Sequence, residues 1–352
     1  MSAGLVDSHG RVMRDLRVSL TERCNFRCLY CLPETEEAAN FYRAKMGASH
    51  ESKTPFVFKL PERPRHEILS FEEIERLVRI AAELGVQKVR LTGGEPLLRR
   101  DLPDLVRRIA RIPGIEDLAM TSNGSLFEKL GRDLVRAGLK RMSFSMDSLD
   151  PANFKKITGR DGLDKVQGSI RLAKELGLNP VKVNAVVIRG INDHEIESLA
   201  SFAADEGFAM RFIEFMPLDS SRAWLKEMVV PGREILERLK ARFDLESVIG
   251  NRSETAKRWR IRGTASELGI IAPVTEPFCG HCNRVRLTAD GKIRTCLFSV
   301  TEHDLRALLR AGADDTTIAK RLREIVGLKE DRHHIGEEGF QQPERSMSCI
   351  GG

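Results

Sequence analysis

Six of the seven cysteines fall into two tight groups, Cys24, Cys28 and Cys31 in the stretch CNFRCLYC, and Cys279, Cys282 and Cys296 in CGHCNRVRLTADGKIRTC. The three closely spaced thiols of the C-x3-C-x2-C stretch are read as a loop wrapped around something. Metal is the first expectation, because tight clusters of this kind in a reducing compartment are poor disulfide frameworks. A zinc site would want a fourth Cys or His nearby, and the loop around CNFRCLYC supplies none. A four-iron cubane held by three thiolates leaves one iron open, and an open iron is a place for another ligand. Tyr30, directly before the third cysteine, could shield such a cluster, stack on a purine, or simply pack.

The second group straddles a predicted hairpin with Asp290-Gly291 as its two-residue turn. Antiparallel pairing about that turn brings Cys282 and Cys296 to neighbouring strand ends, so one metal could reach all three thiols. Zinc remains possible here, with His281 as a fourth ligand, although a residue inside a C-x2-C turn usually points away from the metal. Arg284 and Arg286 lie two apart on the strand leaving the group and project from one face. Two guanidiniums so placed make a bidentate phosphate clamp; the plain alternative is a solvated basic strand.

The elements that must hold these groups are legible between about residues 15 and 216, where a short apolar strand, a loop and an amphipathic helix recur. Strands are predicted near 16–20, 87–91, 115–121, 141–146, 181–187 and 208–215. Gly85, Gly138, Gly177 and Gly207 suit the left-handed position past a helix end, and Ser70/Glu73 and Ser125/Glu128 fit capping boxes. Alternating strands and helices imply a parallel sheet, and six units are too few for a complete eight-stranded barrel. The predicted fold is therefore α/β, an incomplete three-quarter (βα)6 TIM-like barrel with a C-terminal cluster-binding extension.

Strands of a covered parallel sheet should be apolar on both faces, yet these alternate. Arg17 and Ser19 share one face; so do Lys88, Arg90 and Thr92; so do Ser143, Ser145 and Asp147; so do Lys182 and Asn184. Leu16, Val18, Leu20, Val89, Leu91, Met142, Phe144 and Val183 take the other face, under the helices. Single charges could sit at solvated strand ends, but four strands together favour a polar, ligand-filled lumen. Gly93-Gly94-Glu95-Pro96 follows the second strand at the C-terminal rim, where such folds keep their active sites. Its glycines allow close backbone approach to a ligand, while Glu95 can order the loop or accept from an ammonium group. Ser145 and Asp147 suit hydroxyl recognition on a ribose. Residues 35–66 break the periodicity and read either as a lid over the first cysteines or as a tolerated surface insertion. The predicted division is 1–216 for the barrel and 217–352 for the extension, in which LGIIAPVT reads as a strand leading into Cys279 and 302–311 and 314–327 read as helical.

The 352 residues, 41% hydrophobic and 31% charged, can bury an ordinary core. No apolar run approaches the roughly 20 residues needed to span a bilayer, and the start MSAGLVDSHG lacks the build of a secretion signal, so a cytoplasmic protein without a membrane partner is expected. A formal net charge of +6, not gathered in a block, suggests a phosphorylated small molecule more than nucleic acid.

With these residues in hand, the chain resembles the radical S-adenosylmethionine superfamily, whose signature is C-x3-C-x2-C with an aromatic before the last cysteine. The resemblance implies that the open iron is chelated by S-adenosylmethionine, which is cleaved to a 5′-deoxyadenosyl radical, and that the GGEP loop holds the methionyl amine. More narrowly, DLRVSLTERCNFRCLYC, KVRLTGGEPLLRRDL, MTSNG, FSMDSLD, VKVNAVVIRGIND, RFIEFMPL, CNRVRLTADGKIRTCLF and a terminal Gly-Gly are similar to the GTP 3′,8-cyclase family of molybdenum cofactor synthesis. That likeness implies two 4Fe-4S clusters, on Cys24, Cys28 and Cys31 and on Cys279, Cys282 and Cys296, the second anchoring the guanine of GTP. It further implies that the radical abstracts hydrogen from C3′ of the ribose and that C3′ then attacks C8. Arg17, Arg90, Thr121, Lys182, Arg284 and Arg286 would contact GTP, and Tyr30, Gly94, Glu95, Ser145 and Met216 would contact S-adenosylmethionine. Arg17, Arg284, Arg286 and the tail glycines Gly351 and Gly352 would serve catalysis, with Lys88 as a further phosphate contact and Cys349 as an idle thiol or a redox liability. Implied partners are an electron donor and the next enzyme of the route, cyclic pyranopterin monophosphate synthase, with a homodimer possible. Two rivals stand beside this reading. Another radical S-adenosylmethionine enzyme with auxiliary clusters would need more C-terminal cysteines, and a zinc-ribbon RNA-binding protein would leave GGEP and the polar lumen unexplained.

Overall fold

Short apolar strands alternate with helices through the first two thirds of the chain, in a computed structural model that describes residues 4–36, 38, 39, 63–219 and 224–351. The strands are β1 (Asp15–Ser19), β2 (Lys88–Thr92), β3 (Asp117–Ser122), β4 (Arg141–Ser145), β5 (Val181–Val187) and β6 (Ala209–Glu214). Between them run helices α1 (Phe71–Glu83), α2 (Leu102–Ala110), α3 (Phe127–Ala137), α4 (Pro151–Thr158), α5 (Leu163–Glu175) and α6 (Ile196–Glu206). All six strands pair in parallel with their chain neighbours, which is the incomplete barrel expected from the alternation. The charges on the inner face report the curvature. On a flat sheet β1 and β6 would lie about 24 Å apart at roughly 4.8 Å per strand. Arg17 on β1 is nevertheless near enough to Arg211 on β6 for the two charges to interact, as a curved sheet allows.

The last third of the chain extends both edges of the same sheet. After α7 (Gly232–Arg242), β7 (Leu245–Val248), β8 (Lys257–Ile261) and β9 (Glu267–Ile271) form an antiparallel set whose last strand adds parallel to β6. At the other edge β10 (Arg284–Leu287) adds parallel to β1, followed by antiparallel β11 (Lys292–Arg294) and β12 (His303–Asp304). Helices α8 (Arg306–Arg310), α9 (Asp315–Gly327) and α10 (Met347–Ile350) close the chain. The result is one 12-stranded sheet with eight contiguous parallel strands, β10 and β9 flanking the expected six.

The core lies where the alternation placed it. Leu16, Val18, Leu20, Val89, Leu91, Met142, Phe144 and Val183 are all buried in one cluster with the inner faces of the helices. Ser70 and Glu73 form the expected capping box at α1, and Gly85, Gly138, Gly177 and Gly207 all adopt positive φ.

Three expectations differ. The box at Ser125/Glu128 does not form: α3 starts at Phe127, and the Ser125 hydroxyl instead donates to Asn123 Oδ1 and accepts from Asn25 Nδ2. The hairpin turn is three residues, Ala289-Asp290-Gly291, rather than the two-residue Asp290-Gly291, because Thr288 pairs with Lys292 through both backbone and hydroxyl. Gly291 takes φ +80° there, the left-handed residue such a loop needs. The helical stretch expected over 302–311 begins as strand β12 and turns helical only at Arg306, since His303 pairs with Ile293. Most of the expected lid, 35–66, lies outside the described residues, as does Gly352. Among the described residues no helix is long and apolar enough to cross a membrane.

Candidate active site

The first cysteine loop leaves β1 and is braced from three sides. Arg27 N–H donates to Thr158 O and Leu29 N–H to Ile157 O, which fastens the loop to the end of α4. Asn123, in the loop after β3, donates from Nδ2 to Asn25 Oδ1 at 2.8 Å and lies 3.9 Å from the Cys24 sulfur. The GGEP turn supplies the third brace. Gly94 N–H donates to Thr21 O and Glu95 N–H to Arg23 O, both at 2.7 Å, and a Cβ on Gly94 would sit 2.3 Å from Arg23 O. The close approach these glycines permit is therefore first to the backbone preceding Cys24.

Glu95 is fully buried and spends both oxygens on order, accepting from Leu97 N–H, Ser122 Oγ and Asn123 N–H at 2.8–3.0 Å. Burial, only partly offset by those bonds, pushes its carboxyl up to about 7. Tyr30 OH donates to Asp147 Oδ2 at 2.6 Å, and Val186 N–H donates to Asp147 Oδ1. Asp147 thus anchors Tyr30 to the barrel with both oxygens engaged. Ser145, at the end of β4 on the same face as Ser143, is half-buried.

Across the lumen face the register lines up cations. Arg286, Arg17 and Arg90 are direct neighbours across β10, β1 and β2, and the same row reaches Arg141 through Ala119. One step toward the rim lie Thr121, Ser143 and Lys182, then Asn184 and Arg211. Arg90 donates to Thr121 Oγ1 and Ser143 Oγ, each at 3.2 Å. Lys88 is partly neutralised by Asp15 at 3.5 Å and Asp117 at 3.7 Å, and Arg141 pairs with Asp117. The others have less relief. Burial, then repulsion from Arg211, Arg141, Arg90 and Lys88, brings Lys182 down to about 6, and burial lowers Arg17 to about 10 and Arg211 to about 9. Arg17 Nε and Arg284 Nε are buried without a hydrogen-bond partner among the described residues. Donors left unsatisfied on a row of mutually repelling cations describe a polyanion site.

The second cysteine group stands at the opposite end of the strands. Cys282 precedes β10 and Cys296 follows β11, so both sit beyond Arg284, the neighbour of Asp15 where β1 begins, whereas Cys24 lies past the end of β1. Five strand residues at about 3.3 Å each put roughly 16 Å of cation-lined lumen between the two groups. Arg11 holds the Cys279 loop: its guanidinium donates to Cys279 O at 2.9 Å and Asp331 O at 2.8 Å while Nε binds Asp7 at 2.6 Å. Lys329 donates to Arg284 O and Thr295 O, tying β10 to the residue before Cys296. His281 is exposed in the short turn between the first two cysteines.

All six thiols are free, and within each group they influence one another electrostatically. Burial, then Glu95, pushes Cys24 up to about 11, and burial, then Cys24, pushes Cys31 up to about 12. On Cys282 burial works upward, but Arg284 and Lys329 outweigh it and bring the thiol to about 7. Among the described residues no three Cys, His, Asp or Glu side chains gather into a group that could hold a metal ion.

The tail reaches this lumen as well. Gly351 packs against Ser19 and Thr92, and its carbonyl accepts from Arg286. Met216 lies in an apolar cluster with Leu218, Phe298, Ile350 and Cys296. The structure thus brings Arg17, Arg90, Thr121, Lys182, Arg284 and Arg286 onto one face, and places Tyr30, Gly94, Glu95 and Ser145 at its rim. Sequence reasoning missed Arg141 and Arg211, which continue the same period-2 pattern in RMSFS and AMRFIE, and Asn123, for which the only signal was a polar loop at the rim.

Comparison with known proteins agrees with the class this site defines. Residues 18–203 match the Radical SAM superfamily and residues 208–335 match Molybdenum Cofactor Synthesis C. A solved structure of Streptococcus suis SuiB bound to S-adenosylmethionine shares the fold, with a TM-score of 0.60 over 97% of this chain and 78% of that one, at 15% identity. The chain belongs to the radical S-adenosylmethionine superfamily and, within it, to the GTP 3′,8-cyclase family. It is 44% identical to a GTP 3′,8-cyclase of Rhodopirellula baltica, with 99% of this chain and 92% of that protein covered. It is 41% identical to one of Syntrophomonas wolfei, with 99% and 100% covered.

Proposed function

We infer that the protein is a GTP 3′,8-cyclase, converting GTP to (8S)-3′,8-cyclo-7,8-dihydroguanosine 5′-triphosphate, the first step of molybdenum cofactor synthesis. The observation that carries this reading is the row of under-neutralised cations between two separate thiol groups, a shape suited to a triphosphate. Cys24, Cys28 and Cys31 hold a 4Fe-4S cluster, which with S-adenosylmethionine bound supplies a 5′-deoxyadenosyl radical. Tyr30, Gly94, Glu95, Ser145 and Met216 form the S-adenosylmethionine end of the lumen. Glu95 acts there through the loop it orders: its two oxygens fix the turn that presents the backbone of residues 93 and 94.

Cys279, Cys282 and Cys296 would hold a second 4Fe-4S cluster, whose open iron would offer a site for the guanine. Arg17, Arg90, Thr121, Lys182, Arg284 and Arg286 bind the substrate, the arginines as bidentate forks on phosphate oxygens and Thr121 by orienting Arg90. Gly351 completes the lumen from the tail side, and the covered lumen keeps water away from a reactive centre. In this division residues 1–216 carry S-adenosylmethionine chemistry and 217–352 seat the guanine, within a cytoplasmic enzyme that draws on an external electron donor.

The two-cluster assignment has a direct check. Anaerobically reconstituted protein should hold about eight irons per chain, falling to about four when either cysteine trio is replaced by alanine. An iron content indifferent to loss of Cys279, Cys282 and Cys296 would remove the second cluster and leave the superfamily assignment standing.

A further inference from the structure

The tail that carries Gly351 is tied down by a side chain the chemistry above does not use. Arg345 donates from Nη2 to Glu22 and to Asp290 Oδ1 at 3.1 Å, and from Nη1 to Glu302 Oε2 at 3.0 Å. These carboxylates come from three separate parts of the fold. Glu22 stands two residues before Cys24, Asp290 sits in the turn between β10 and β11, and Glu302 directly precedes β12. The clamp is largely dry, with side-chain exposures of 16% for Arg345 and 5%, 1% and 13% for its partners. A planar fork can serve three carboxylates at once, which a lysine ammonium on a single stem does poorly.

Beyond the clamp the tail makes one turn, with Cys349 N–H donating to Ser346 O and Gly351 N–H to Met347 O. Ile350 is fully buried beside Phe298 and Leu218, the Ser348 N–H meets the Cys31 sulfur, and the Gly351 carbonyl meets Arg286. The tail therefore touches the first cysteine group and the cation row within four residues, and Arg345 sets where that turn begins.

We propose that Arg345 is a positioning residue: its clamp on Glu22, Asp290 and Glu302 fixes the register of the C-terminal tail, so that Ser348 reaches Cys31 and Gly351 reaches Arg286. Only the catalytic consequence rests on the cyclase reading; the seating of the tail does not. Arg63, Lys292 and Arg294 also contact these carboxylates, so removing Arg345 leaves them partly paired and the sheet intact.

The test is hydrogen exchange on the reconstituted holoenzyme, comparing the parent with Arg345→Ala, Arg345→Lys and Glu302→Gln. In Arg345→Ala, exchange at the amides of 349–351 should rise by roughly tenfold or more. Arg345→Lys and Glu302→Gln should fall between this and the parent, and iron content should hold. The cyclised nucleotide formed per 5′-deoxyadenosine should drop while cofactor cleavage without GTP persists, a split that general destabilisation would not produce. Unchanged tail exchange in both Arg345→Ala and Glu302→Gln would overturn the proposal, as would equal loosening of the β10 and β11 amides. Should Arg345→Ala fail to fold, Glu302→Gln decides: a looser tail supports the clamp and an unchanged one refutes it. A looser tail in a protein that makes no cyclised nucleotide even as the parent would uphold the clamp and sink the cyclase reading.

Discussion

Lys182 shows how a side chain in this lumen is tuned by what it faces. With its pKa brought to about 6 by burial and by Arg211, Arg141, Arg90 and Lys88, it is neutral in the empty site at neutral pH. A triphosphate beside it restores the charge, so binding takes up a proton above pH 6 and affinity from this group falls as pH rises. Titration calorimetry of GTP at about pH 8, where the phosphates are already ionised, should show uptake approaching about one proton across buffers of different ionisation enthalpy. Lys182→Met should abolish that uptake. In the proposed reading Arg284 and Arg286 act differently, as forks on the substrate. Replacing either with alanine should raise the KM for GTP roughly ten- to a hundredfold, the scale of a lost charge-assisted contact, while iron content and GTP-independent cofactor cleavage hold. Loss of the iron signal would make their role structural. These residues were legible because a strand's period of two survives in sequence: an arginine between buried valines has no reason to be there unless a ligand supplies one. Arg141 and Arg211 obeyed the same rule, yet Arg141 stands at a strand's first position beside Asp117, where an ordinary surface ion pair gives the same pattern.

At the scale of elements, the six strand-helix units could be placed from their glycine joints and apolar faces, whereas the destinations of β9 and β10 could not. Both were recognisable as strands, but periodicity says nothing about which edge a strand joins, and each became a parallel edge of the barrel. That pairing puts Arg284 and Arg286 in line with Asp15 and Arg17 and gives the second cysteine group its place at the far end. The Ser125 box failed for a local reason: two asparagines, Asn25 and Asn123, offered its hydroxyl better partners near the cysteine loop. The N-terminal hairpin, closed by the Val6–Val12 bridge, exists to deliver Arg11 to the carbonyls of Cys279, Glu330 and Asp331. Arg11→Ala removes the ion-pair partner of the buried Asp7, leaving it only the backbone N–H groups of residues 9 and 11, and should cost about 3 kcal/mol in urea denaturation. It should also deplete iron from the second group ahead of the first; equal loss from both would mean that Arg11 serves the fold at large.

For the whole molecule, one sheet joins everything: the first cysteines leave its middle, the second flank its added edge strand, and the tail returns between them. Among the described residues the extension continues the barrel sheet, since β9 and β10 pair with β6 and β1. That continuity aligns two cysteine groups and a cation row along one lumen, the arrangement from which the reaction is inferred. The most direct test is to supply GTP deuterated at C3′ to the reduced holoenzyme with S-adenosylmethionine and to weigh both products. Deuterium should appear in 5′-deoxyadenosine, together with a cyclised nucleotide that has lost it from C3′. Formation of 5′-deoxyadenosine free of deuterium, with GTP recovered intact, would contradict the cyclase assignment.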